Sequence, residues 1–485
     1  MKRLVMELGL PAAVLFFSIC AYGAIGDTIW TRFYGGYNSD APVAVLPNSD
    51  GGFIIAGWSH SLEMGDIDYY LIKTDGNGDT LWTRTYGTPN NDVATSAALT
   101  RDGGIIIAGT TPILDRGTDI YLIKIDWQGN LEWQRTYGGA QEDSVRCIAT
   151  TRDKGYILCG STNSFGGSGF DVYVIKLDSV GDTVWTHRSG GIANDGGAAI
   201  CQTADDNYLL TGWTTSDDNH NIYTEKISQT GSTIWYWGYS AGIDCQGLSI
   251  VSTRDNNAVI SGYAYNIPQY NDCYVAKIGN FGQPQWSRTF GGSHQEFGNS
   301  IRKGHDNGYV IGGSRWVSFF PDTTQFYLAV TDSMGNRIWD RTYGFGALDE
   351  GAWAEPTSDG NYVIVGRANC FDPLTYDICL IKVCGTVTGV DENPAVIPDN
   401  DNLAGNYPNP FNSQTTIRYR VESPGYVKVE MFNLLGQKIR TLVDSYQETG
   451  SYEVNWDASD NQSGVYYCRI QVGKVVQTLK VTLVK

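Results

Sequence analysis

Hydrophobic and polar positions along this chain come in short bursts, and the bursts recur. Phe53-Ile54-Ile55-Ala56-Gly57 is followed by Asp68-Tyr69-Tyr70-Leu71-Ile72-Lys73, and then by Thr80-Leu81-Trp82-Thr83-Arg84-Thr85-Tyr86. The bursts are rich in Ile, Val, Tyr and Trp and are bounded by Gly, Asp and Asn, as strands between tight turns are. No stretch shows a helical period. Trp30, Trp82, Trp133, Trp185, Trp235, Trp286 and Trp339 are spaced 50 to 53 residues apart. One supersecondary unit is therefore repeated. Four antiparallel strands in about fifty residues make the blade of a β-propeller.

An acidic residue stands about ten positions after each Trp: Asp40, Asp92, Asp143, Asp195, Asp244, Glu296 and Asp349. Turns such as Asp50-Gly51-Gly52 and Asp75-Gly76-Asn77-Gly78-Asp79 separate the strands, with Gly supplying a positive φ. Residues that recur in every unit are expected to build the unit. Binding or chemistry belongs where the units differ. The recurring Asp and Arg are accordingly read as structural. The Asp-x-x-Gly turns lack the ligand order of an EF-hand and read as hairpin turns, so no metal site is expected there.

The strand around Trp30 has no third strand before it, and Asp377-Ile378-Cys379-Leu380-Ile381-Lys382 has no Trp strand after it. The N-terminal strand is expected to complete the last unit and leave no open edge. The expected fold is all-β: a seven-bladed β-propeller over residues 24–385 with N-terminal strand closure, followed by a small Ig-like β-sandwich. Met1-Lys2-Arg3, the apolar stretch from Leu8 to Ala21, and Ala21-Tyr22-Gly23 read as a signal peptide over residues 1–23. Residues 386–402 are polar, carry Pro394 and Pro398, and read as a linker. Residues 403–485 return to strand patterning, enough for the sandwich. No membrane span is expected after signal cleavage.

The formal net charge is −18. An acidic chain argues against nucleic acid as a partner, which needs basic patches. The nine cysteines after the signal show no Cys-x-x-Cys pair and read mainly as small buried residues. The alternative is one disulfide among Cys370, Cys379 and Cys384.

The tail carries a family pattern. Asn406-Tyr407-Pro408-Asn409-Pro410-Phe411-Asn412 opens it, Leu434-Leu435-Gly436-Gln437-Lys438-Ile439 follows a strand, and Ser463-Gly464-Val465-Tyr466-Tyr467 precedes a basic end. This resembles the type IX (Por) secretion C-terminal sorting domain, related to the Ig-like module of flagellar hook-capping proteins. The resemblance implies a substrate of the type IX secretion machinery, delivered outside a diderm bacterium or to its outer surface. The repeats, in runs such as Asp102-Gly103-Gly104-Ile105-Ile106-Ile107-Ala108-Gly109, are similar to those of large secreted bacterial and archaeal propeller proteins. That likeness implies a fold and no single activity.

Of the five histidines, His60, His187, His220, His294 and His305, no two have metal spacing. No nucleophile elbow or Walker A loop is present. No catalytic residue and no cofactor are expected. The loops after the second strand vary most and carry aromatics: Trp58, Trp213, Tyr263, Tyr265, Tyr270, Trp316, Phe319, Phe320 and Tyr376. Aromatic platforms on one rim suit a glycan or a surface protein, although the same rings could pack on the blades. The expected function is a secreted or cell-surface, non-enzymatic binding protein. The rivals are an extracellular glycan hydrolase or lyase using the variable loops, and a structural surface-layer component.

Overall fold

The computed structural model describes residues 25–60, 67–165, 169–216, 219–265, 271–292, 294–319, 322–369, 375–385, 405–407, 411, 413–421, 424–433, 437–472 and 475–483. The expected signal peptide and linker lie outside them, as do Tyr270, Phe320 and Cys370. The chain divides into two compact units, Met1–Asp391 and Glu392–Lys485.

Among the described residues of the first unit, the strands form seven four-stranded antiparallel sheets. The first contains Asp40–Pro47, Phe53–Ser59, Asp68–Thr74 and Thr80–Tyr86, in that order from the inner to the outer edge. Five more repeat this order. In the seventh, Asp349–Pro356, Tyr362–Ala368 and Asp377–Val383 are completed by Thr28–Tyr34 from the other end of the chain. The N-terminal strand thus closes the last sheet, as expected. Each inner strand contacts the inner strand of the next sheet, and the seventh contacts the first.

The recurring residues join these sheets. At six of the seven junctions the Trp of an outer strand packs on a turn glycine of the following sheet, and at the seventh Arg341 lies against Gly26. A Cβ at Gly78 would lie 3.0 Å from the Trp30 ring, and one at Gly335 would overlap Trp286. Outer-strand tyrosines add a hydrogen bond across the same junctions: Tyr34 to the Gly78 carbonyl (2.6 Å), Tyr86 to Gly129 (2.5 Å) and Tyr137 to Gly181 (2.6 Å). In six of the seven sheets a lysine one residue from the end of the third strand reaches the aspartate of the neighbouring turn, and Val330 takes its place in the sixth. Lys176 meets Asp153 and Lys226 meets Asp205, both at 2.8 Å. These contacts give the repeated Lys, Asp, Trp and Gly a structural role.

One slot breaks the pattern. In five sheets the acidic residue at the start of the inner strand accepts a backbone amide from the preceding turn, as Asp143 does from Gly139 (2.7 Å) and Asp195 from Gly191 (3.0 Å). In the fifth sheet the sequence reading assigned this slot to Asp244. It belongs instead to Cys245, whose sulfur accepts the Ala241 amide at 3.3 Å. The fifth inner strand, Asp244–Ser252, is one residue longer than its counterpart Asp195–Gln202. Asp244 is left for other partners.

In the second unit, a three-stranded sheet (Gly405–Tyr407, Gln414–Val421, Gly450–Asp457) and a four-stranded sheet (Gly425–Phe432, Lys438–Gln447, Gly464–Val472, Val475–Leu483) share one core. Trp456 is fully buried there, 5.4 Å from Phe411 and 5.1 Å from Tyr466 between ring centres. Glu430 is buried beside Arg469 (2.6 Å) and Lys438 (3.1 Å), and these cations hold its carboxyl below its usual range against the cost of burial.

Candidate functional site

All seven inner strands line one cavity of about 1080 Å³. Its surface is shaped by a recurring irregularity. Each inner strand carries a β-bulge three residues after its opening slot. A bulge leaves one residue unpaired and re-aims its side chain. The bulge residues are Val43, Thr95, Arg146, Ala198, Leu248, Asn299 and Ala352, and every one of them lines the cavity. The scaffold repeats here and the side chains do not.

A second ring of equivalent positions sits where each second strand pairs with the start of the inner strand. Trp58 faces Ala41, Trp213 faces Gly196, Tyr263 faces Gln246 and Arg367 faces Glu350. Three of the aromatics singled out in the sequence therefore share one register slot. They lie in the strands Phe53–Ser59, Tyr208–Ser216 and Ala258–Tyr265, not in loops. Tyr265 ends the last of these, and Trp316 lies within Tyr309–Phe319. The strands simply run further than the sequence suggested.

All six of these aromatics whose side chains are described are half-buried, so none is an open platform. Trp213 covers the backbone of Gly196 and meets the His220 ring edge-on at 5.1 Å. The Tyr263 hydroxyl donates to Asp244 at 3.4 Å, and its ring meets Phe297 at 5.3 Å. Burial pushes the Tyr263 phenol well up from its ordinary pKa, and Asp244 adds to the shift. Tyr376 lies 4.6 Å beneath the Arg367 guanidinium, which also holds Glu350 at 2.8 Å. Of these six, Trp58 alone lines the cavity. Phe319 pairs with Asp322 through its backbone. The structure brings Trp213 and Tyr263 together around His220 and Asp244, and places Trp58 apart from them on the cavity wall.

The sequence reading missed the cavity wall. Glu355 accepts Arg302 Nε at 3.0 Å and Trp353 Nε1 at 2.9 Å, and the Arg302 guanidinium stacks 3.6 Å from the Trp353 ring. Burial pushes the Glu355 carboxyl up, with Arg302 opposing. Asn299 donates to the Gly351 carbonyl at 2.8 Å, tying the sixth sheet to the seventh. Comparing the seven inner strands at the third position after the opening acid would have exposed the ring, except in the fifth sheet, where the slot is shifted.

The displaced Asp244 forms a second polar group. Its Oδ1 lies 3.0 Å from His220 Nδ1 and accepts the His220 amide at 2.9 Å. Both side chains are about one third exposed, at 37% and 33%. No group of three or more His, Cys, Asp or Glu side chains suited to a metal ion occurs among the described residues. No helix among them is long and apolar enough to cross a membrane.

The comparisons separate the two units. A protein from Caulobacter vibrioides described as regulatory protein FlaEY is 26% identical over 157 residues, which is 27% of this chain and 16% of that protein. The chain thus spans about a sixth of its curated relative's length. Among solved structures, YCF48 bound to D1 peptide aligns with a TM-score of 0.42 and 10% identity, covering 76% of this chain and all of that one. Polysaccharide lyase Uly1 aligns at 0.47 and 9%, covering 73% and 92%. The Pan2 WD40 domain of Neurospora crassa aligns at 0.34 and 11%, covering 56% and 86%. With TM-scores below 0.5, these likenesses carry no argument about fold or activity. Residues 406–485 match the secretion system C-terminal sorting domain, which directs the chain through the type IX secretion system of a diderm bacterium to the cell surface.

Proposed function

We propose that the chain is a seven-bladed β-propeller with an Ig-like sorting domain, and that it acts at the cell surface as a non-enzymatic binding protein for a glycan or protein ligand. The ligand enters the cavity walled by the inner strands. One observation carries this reading: recurring side chains are used in junctions and turns, while the changing ones gather around a cavity of about 1080 Å³. Variable side chains on a repeated rigid frame are the usual form of a binding site. The blade count rests on seven four-stranded sheets whose inner strands meet in a ring. The Ig-like reading rests on two sheets around one core.

The test is binding of the full chain to glycan and surface-protein arrays, beside an Ala198→Trp variant that fills the cavity from a bulge position. Binding lost in this variant at unchanged melting temperature supports the reading. Undiminished binding would move the site elsewhere, and no ligand of either class would favour a structural surface role.

A specific feature favours the enzymatic rival. Asp244 orients His220 through Nδ1, which is how a carboxylate prepares an imidazole for proton transfer from its other nitrogen. Turnover of a polysaccharide that His220→Ala abolishes would establish that reading in place of pure binding.

A further inference from the structure

The cavity differs in charge from the chain that encloses it. The formal charge of the whole is −18, yet the cavity lining contains Arg101, Arg146, Arg152, Arg302 and Arg367 against two carboxylates, Glu350 and Glu355. Three of these arginines have acidic partners. Arg302 is held by Glu355 at 3.0 Å, Arg367 by Glu350 at 2.8 Å and Arg152 by Asp206 at 2.5 Å. Arg101 occupies the turn position in the second sheet that Arg152 has in the third. The residue in the slot of Asp206 is then Lys154, which shares its left-handed backbone (φ 69° and 62°) and has the opposite charge.

Arg146 is the only charged member of the bulge ring. It is exposed, and no acceptor or carboxylate among the described residues bonds to it. The register orders these groups along the cavity: Trp58 and Arg367 at the end where the inner strands begin, Arg146 next, and Arg101 and Arg152 where the strands end in turns.

We propose that this cavity is an anion site whose ligand is an acidic oligosaccharide, with a sugar carboxylate on Arg146 and a sugar ring against Trp58. The inference rests on the binding reading above and names the ligand class for the same cavity. A guanidinium presents a fork of donors that matches a carboxylate bidentately. Inside a protein-walled cavity the field of an unpaired cation is less screened than on the surface, so a single Arg selects strongly for charge. The acidic exterior repels polyanions elsewhere and leaves the cavity as the favourable place for one. An indole beside a cationic centre suits a ring with an apolar face and one charged group, and the volume is larger than an inorganic anion would need.

The experiment measures binding of the full-length protein to three probe sets: trimers of galacturonate, glucuronate and mannuronate; neutral hexose trimers of matching linkage; and an aspartate-rich peptide. It compares the wild type with Arg146→Gln and with Arg254→Gln, an exposed turn arginine of the fifth sheet that does not line the cavity. The expected result is binding of at least one uronate trimer that falls tenfold or more in Arg146→Gln, weakens with added salt, and is unchanged in Arg254→Gln. Melting temperatures of both variants should match the wild type. Equal binding of charged and neutral trimers, or unchanged binding in Arg146→Gln, overturns the anion site. A preference for the peptide overturns the sugar assignment. Neutral trimers bound in a Trp58-dependent way leave the binding reading standing without this one. Failure of every probe and of the arrays removes both.

Discussion

The hydroxyl of Tyr343 donates to the carbonyl of Gly26 at 2.8 Å, across 317 residues of chain. The same bond joins Tyr34 to Gly78, Tyr86 to Gly129 and Tyr137 to Gly181. The junction made by the N-terminal segment is thus built like three others, although its two halves come from opposite ends of the propeller sequence. Deleting residues 25–34 removes this bond and the outer strand that pairs with Asp377–Val383. The truncated protein should lose its cooperative thermal transition or melt many degrees lower. Tyr343→Phe should cost only about 1 kcal/mol, the usual net value of one hydrogen bond. A truncated chain that melts within a degree or two of the full one would contradict the closure.

A carboxylate pair at the same closure sets a pH dependence. Asp377 and Asp40 occupy the space beside Gly35 where a Cβ would stand. Burial, with Asp40 adding to it, pushes the Asp377 carboxyl up to about 6. The folded state then holds its proton more tightly than the unfolded state. Its favourable contribution is complete below pH ~4 and is lost as pH rises through about 6. Asp377→Asn should raise the melting temperature at pH 8 and leave it unchanged at pH 4. Asp205 and Asp255 act in the opposite sense. Hydrogen bonds and charge from Lys226 and Lys277 outweigh burial and hold each at about 2, so their contribution is lost as pH falls below ~4. Melting curves from pH 3 to 8 for wild type and variant check both limbs.

The architecture was legible in the sequence because its cause is local. Trp30 and its six counterparts recur because each outer strand must cover the next turn, and one residue type does this at nearly every junction. Closure was legible from a count of strands. The fifth sheet was misread because Asp244 and Cys245 are neighbours, and only the Ala241 amide shows which of them fills the slot. The cavity ring was hidden for a related reason. A bulge breaks the two-residue alternation that tells one strand face from the other, so Arg146 reads as one more polar residue until its register is known. The aromatics were assigned to loops because strand ends have no sequence mark where the turn is long.

The two units predict separable behaviour for the tail. Each has its own core, and the sorting match begins at residue 406. A chain ending at residue 402 should keep the melting transition of the propeller and accumulate in the periplasm of a type IX-competent host. Fractionation with an antibody against the propeller would show this. Delivery of the shortened chain to the surface would remove the sorting role from residues 403–485.

Trp58 and Trp213 share a register slot but have different surroundings, and their substitutions should separate stability from binding. Trp213 lies over Gly196 and against His220, and the cavity wall does not include it. Trp213→Ala removes that packing and should cost about 2 kcal/mol, less than the 3–5 kcal/mol typical of a fully buried ring. Ligand affinity should change little. Trp58 lines the cavity beside a strand partner no larger than Ala41. Trp58→Ala should lower affinity by about 1–3 kcal/mol, the range for an aromatic anchor, with a smaller effect on melting. Calorimetric unfolding and binding titrations on the two single variants decide the matter. If Trp213→Ala loses the ligand at unchanged stability and Trp58→Ala does not, the site lies on the rim around His220 and Asp244, and the cavity is a by-product of ring closure.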